Sequence, residues 1–133
     1  MVQVPNLNPP RFLNEAIRKF AFYALNFYNC LMEIVKSINN VPIRLTDERW
    51  LHIIENHDDL AGYYDEVLEL IENPDYVIKG YKEALMALRC REDGKFLGVI
   101  YKETDDSDGF FITVYLTSKI KLEREVIVWQ RQK

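Results

Sequence analysis

The side chains best suited to proton transfer in this 133-residue chain are its two histidines, and both lie in one segment, HIIENH, as His52 and His57. An imidazole serves as base or acid near neutral pH. On an ideal helix a spacing of five turns the two rings about 140° apart. They share a site only if the helix stops before His57, and Asp58-Asp59 supplies such a stop. A zinc pair needs a spacing of four and a third ligand nearby, so no metal is expected. A satisfied, partly buried ring is the ordinary alternative for His52.

Hydroxyl and guanidinium groups come from strand-like segments, where alternate residues share a face. In FFITVYLT, Phe110, Ile112, Val114 and Leu116 read as a core row, and Phe111, Thr113, Tyr115 and Thr117 as a hydroxyl-bearing one. Such a row suits a solvated sheet and equally a phosphate site. In ALMALRCR, Leu85, Ala87, Arg89 and Arg91 share a face; in the next strand Leu97, Val99 and Tyr101 oppose Phe96, Ile100 and Lys102. Arginine holds phosphate bidentately, although two arginines beside a hairpin turn are commonly just solvated. Together these groups suit metal-independent cleavage of RNA. The 2′-hydroxyl must lose a proton, the 5′-oxygen must gain one, and the phosphorane needs support. The expected catalytic set is His52, His57, Arg89, Thr113 and Tyr115. Arg91, Tyr101, Lys102 and Thr117 are expected to touch substrate. No cofactor is expected, and without a Gly-rich phosphate loop a kinase or GTPase has no support.

The elements that must position these residues follow from periodicity. Leu13, Ile17, Phe20, Ala24, Phe27, Leu31, Ile34 and Ile38 are spaced 4-3-4-3-4-3-4, which predicts a long amphipathic helix over 11–39. Its broad apolar face calls for a covering partner, a homo-oligomer contact in the first instance. Its longest uncharged run, Phe20–Met32, is too short to span a bilayer, and no signal-peptide cleavage site follows it. A cytoplasmic protein is therefore expected. Asn39–Pro42 breaks the pattern, Thr46 caps a helix over about 47–57 with Trp50, Leu51, Ile53 and Ile54 inward, and another covers about 62–72. Period-2 segments then predict strands at 75–81, 84–91, 96–102 and 110–117, with Glu125–Trp129 as a fifth strand or an ordered tail. The expected fold is α+β, with a long N-terminal helix and two shorter ones followed by an antiparallel sheet of about four strands. Residues 1–40 would form an extension and 41–133 the domain.

Length and composition agree with one globular domain: 48% apolar, 29% charged, net charge −4, and two cysteines, too few for a disulfide scaffold. Cys30 and Cys90 read as buried small hydrophobes. Charge is segregated. Residues 41–75 hold two basic and ten acidic side chains, against eleven basic and nine acidic in 76–133. A nucleic-acid surface would have to be local and come from the C-terminal half.

The stretch from Ile43 to Thr117 resembles the Barnase–EndoU–colicin–RelE-type nuclease superfamily, in particular its phage and mobile-element branch. The resemblance rests on IRLTDERWLHIIENH, ENPDYVIKG, GVIYKE and FFITVYLTSKI. It implies a metal-independent endoribonuclease, often a toxin neutralised by a protein antitoxin. His52 and His57 match the helix histidines, Thr113 and Tyr115 the strand motif, and Arg89 the basic strand position. RelE-type members are usually basic, so this acidic chain would need a narrow basic groove. The alternative from another class is a non-catalytic interaction module that binds a partner or dimerises through the long helix.

Overall fold

The computed structural model describes residues 32–132. Within them lies a seven-stranded mixed sheet with two short helices. The strands are β1 (Met32–Lys36), β2 (Pro42–Thr46), β3 (Tyr76–Lys79), β4 (Leu85–Cys90), β5 (Phe96–Asp105), β6 (Asp108–Thr117) and β7 (Ile127–Gln130), in the order β1-β2-β6-β5-β4-β3-β7. Only β2 and β6 pair in parallel, Ile43 opposite Gly109 and Arg44 opposite Phe110. Helices α1 (Asp47–Asn56) and α2 (Tyr64–Glu72) join β2 to β3.

This corrects the expected architecture of a long N-terminal helix before an antiparallel sheet of about four strands. Residues 11–31 of that helix lie outside the described residues, and its last part, Met32–Lys36, is a strand paired antiparallel with β2. A turn held by Ser37 N–H donating to the Val41 carbonyl (2.9 Å) follows, with Asn40 at φ 63°. Ladder pairing with β2 and packing of Val35 on the core outweigh the heptad pattern there. The homo-oligomer contact expected of residues 11–39 therefore has no helix to use in 32–39. The sheet starts on the N-terminal side of residue 40, where the sequence divides into extension and domain. Glu125–Trp129 contributes the edge strand β7, antiparallel to β3.

One sheet face carries the main core. Ile43, Leu45, Ala87, Leu97, Val99, Tyr101, Phe111 and Val114 pack there against Ile53 of α1 and Val67, Leu70 and Ile71 of α2. Thr46 caps α1, its hydroxyl accepting from Arg49 N–H at 3.0 Å, and Trp50 meets Tyr64 edge-on at 5.2 Å. Leu51, expected inward, is 55% exposed. The rows of β6 also differ from strict alternation. Ile100 pairs with Thr113 but Tyr101 with Phe111, so an irregularity at Ile112 turns Phe111 into the core beside Val114.

The second face holds a smaller cluster of Ile78, Met86 and Leu88, with Tyr76, Phe96, Ile100 and Tyr115 around it. The chain from β6 to β7 must cross this face, because three strands separate them in the sheet. Ile120 and Leu122 of that crossing strap pack on the cluster. Among the described residues no helix is long and apolar enough to cross a membrane.

Candidate active site where α1 meets β6

Parallel pairing occupies β6 only near Gly109 and Phe110. After Thr46 the chain becomes α1, which also packs against β6. The helix ends at His57, whose φ of −141° and ψ of 71° are not helical. Its N–H still donates to the Ile53 carbonyl at 2.9 Å, and its carbonyl accepts from Leu60 N–H at 3.0 Å, which fixes the backbone on both sides. The half-buried ring lies 6.4 Å from that of Tyr115, centroid to centroid, with the planes 36° apart.

Tyr115 pairs with Gly98 of β5, so no β-carbon stands opposite its ring. A β-carbon added at Gly98 would come within 3.3 Å of Leu88 and 3.4 Å of the Met86 sulfur. The Tyr115 hydroxyl donates to that sulfur at 3.8 Å, a weak acceptor that leaves both oxygen lone pairs free. A phenol already holds its proton at neutral pH, and burial, followed by the Glu125 carboxylate, raises Tyr115 further above its ordinary range. Thr113 and Thr117 follow the same alternation as Tyr115 along β6. Thr117 Oγ1 accepts from Lys119 N–H at 3.0 Å.

The remaining expected residues lie elsewhere, each for a physical reason. His52 is exposed on α1 beside Glu48, Arg49 and Glu55, a group that does not include His57. Arg89 and Arg91 share the face of Leu85 and Ala87, which is the helix-covered one. Arg89 reaches Glu69 (3.3 Å), Glu66 (3.8 Å) and the Asn73 carbonyl (3.2 Å). Arg91 reaches Glu66 (3.9 Å) and stacks 5.3 Å from the Tyr63 ring centre. Both tie α2 to β4 and neither meets His57 in a common contact. Tyr101 is fully buried in the main core, its hydroxyl without a partner, so it cannot reach substrate as expected. Lys102 is half-exposed near the start of β6, opposite Phe110. Cys90, expected to be buried, is exposed at the end of β4, with its N–H held by Asp75 at 2.8 Å.

Sequence reasoning missed one strong polar pair. Arg44 donates to Asp108 through Nε (2.8 Å) and through a terminal nitrogen (3.0 Å), and this holds the Asp108 carboxyl below its usual range. Their separation of 64 residues leaves no local signal. No group of three His, Cys, Asp or Glu side chains that could hold a metal ion lies among the described residues. No family model matches the chain, and no curated protein or solved structure is significantly similar to it.

Proposed function

We propose that the chain is a metal-independent endoribonuclease acting at His57 and Tyr115. The observation that carries this reading is the 6.4 Å approach of an imidazole to a half-buried phenol, at the junction of a helix end and a strand. His57 takes the proton of a ribose 2′-hydroxyl, and the oxygen attacks the adjacent phosphorus. The Tyr115 hydroxyl turns its one proton from the weak Met86 sulfur acceptor and donates it in a hydrogen bond to the phosphorane oxygen that gains charge. The bond to the 5′-oxygen breaks, that oxygen leaves as an alcohol with a proton from water, the hydroxide so formed takes the proton that His57 gained, and a 2′,3′-cyclic phosphate remains. With Arg89 and Arg91 engaged by Glu66 and Glu69, the guanidinium support foreseen from sequence has no part in this scheme.

End-group analysis of RNA incubated with the protein in EDTA from pH 5 to 8 tests the reading. Cyclic-phosphate ends are expected, falling at least 100-fold in His57→Ala and about tenfold or more in Tyr115→Phe, with circular dichroism unchanged. Intact RNA throughout that pH range would refute it.

A further inference from the structure

Gly109–Leu122, which includes Tyr115 and continues into the strap, contains no acidic residue, and its two charges are Lys119 and Lys121. Past β6 the chain runs without regular structure through Lys119 and Ile120 to Lys121, whose backbone is extended. Ile120 and Leu122 pack on the Ile78–Met86–Leu88 cluster, whereas Lys119 and Lys121 are exposed. Neither forms an ion pair among the described residues. Two residues span at most about 7 Å, the order of the step between consecutive phosphates in an extended single strand. The strap carries Glu123 and Glu125 after its lysines, yet Lys119, Lys121 and Arg124 leave it net positive over 119–125. The other flank is purely acidic, with Glu55, Asp58 and Asp59 exposed within two residues of His57.

We infer that Lys119 and Lys121 are the phosphate-binding ridge of this site and that its substrate is single-stranded RNA. The backbone runs along the strap, away from the acidic helix layer, and brings an unpaired base to the Tyr115 ring. A duplex would have to set its second backbone against Glu55, Asp58 and Asp59. The inference rests on the nuclease reading for the identity of the nucleic acid, but binding and cleavage can be measured separately.

The experiment uses fluorescence anisotropy of a labelled single-stranded RNA on the full-length His57→Ala protein, titrated across salt concentrations. It is repeated with Lys119→Gln/Lys121→Gln added and, as a control, with Lys79→Gln/Lys95→Gln. Loss of two phosphate contacts lowers the slope of log affinity against log salt by about 1.4. Affinity is expected to fall at least tenfold in the ridge variant and to hold in the control. In the cleavage-competent protein the same ridge change should raise KM with kcat kept. Equal slopes in the ridge and control variants, binding of duplex RNA as tight as of single strands, or no binding at all would overturn the inference. Cleavage that persists with unchanged KM in the ridge variant would overturn the ridge alone and leave the nuclease reading standing. Ridge-dependent binding with no cleavage by the unmodified protein would do the reverse.

Discussion

Tyr101 shows what one buried hydroxyl does to this protein. Its ring fills the core between sheet and helices, its oxygen has no partner among the described residues, and burial followed by the Glu103 charge pushes its ionisation far above the ordinary range. An unpaired buried hydroxyl costs on the order of 1 kcal/mol or more, so Tyr101→Phe is expected to gain about 1 kcal/mol at neutral pH, read by urea denaturation. The pH dependence has a definite sign. The folded phenol keeps its proton where the unfolded one, near pH 10, loses it. Stability is therefore complete below pH 10 and falls as pH rises beyond it. Tyr101→Phe should flatten that alkaline decline in part, because Tyr64, pushed up to about 12, and Tyr115 share it. An unchanged alkaline limb would contradict the burial argument. At this scale the sequence was half legible. The stop after Asn56 and the alternation of β6 bring His57 and Tyr115 near each other, whereas the pairing of Arg89 and Arg91 with the helix layer went unread although their own strand held the clue. They share a face with Leu85 and Ala87, and a face that is core further along leads to whatever covers it, here Glu66 and Glu69.

Elements were legible where their signal was local. Thr46 with Asp47 and Glu48 marks the start of α1, and Glu92–Lys95 turns β4 into β5. The failure at β1 has a physical cause. Five residues, MEIVK, continue a heptad in sequence, and only the partner strand β2 decides otherwise. The parallel contact of β2 with β6 was equally invisible, because it depends on close approach at Gly109. A β-carbon there would stand 2.5 Å from the Lys102 carbonyl oxygen and 2.6 Å from Ile43 Cδ1. The backbone oxygen belongs to the β5 partner and cannot swing away. Gly109→Ala is expected to destabilise by about 1–3 kcal/mol, the usual cost of overpacking, measured as a lower urea midpoint. An unchanged midpoint would mean that β2 and β6 sit further apart than described.

Across the whole molecule, charge and topology separate two surfaces. The helix layer takes most of the acidic side chains of 41–75, and the second sheet face receives the acid-free run that ends β6 and begins the strap. The strap returns the chain to the far edge, where among the described residues β7 pairs only with β3, and Val126, Ile127 and Val128 are exposed. What fastens this last strand is largely Arg131. Its side chain donates to the Asn73 carbonyl (2.7 Å) and the Pro74 carbonyl (3.3 Å) and lies 3.7 Å from Asp75, while its N–H bonds the Asp75 carbonyl at 3.0 Å. Removing the side chain takes away bonds that close the α2–β3 turn onto β7 and leaves the central strands untouched. Half-exposed charge-assisted bonds of this kind are worth about 1–2 kcal/mol together, after allowing for solvent screening. Since 1.4 kcal/mol is a tenfold change, amides of Ile127–Gln130 in Arg131→Ala should exchange roughly ten times faster with deuterium, with those of β5 and β6 unaltered. A uniform acceleration across the sheet would show that β7 opens only with the whole fold, and that the edge and the site at His57 belong to one cooperative unit.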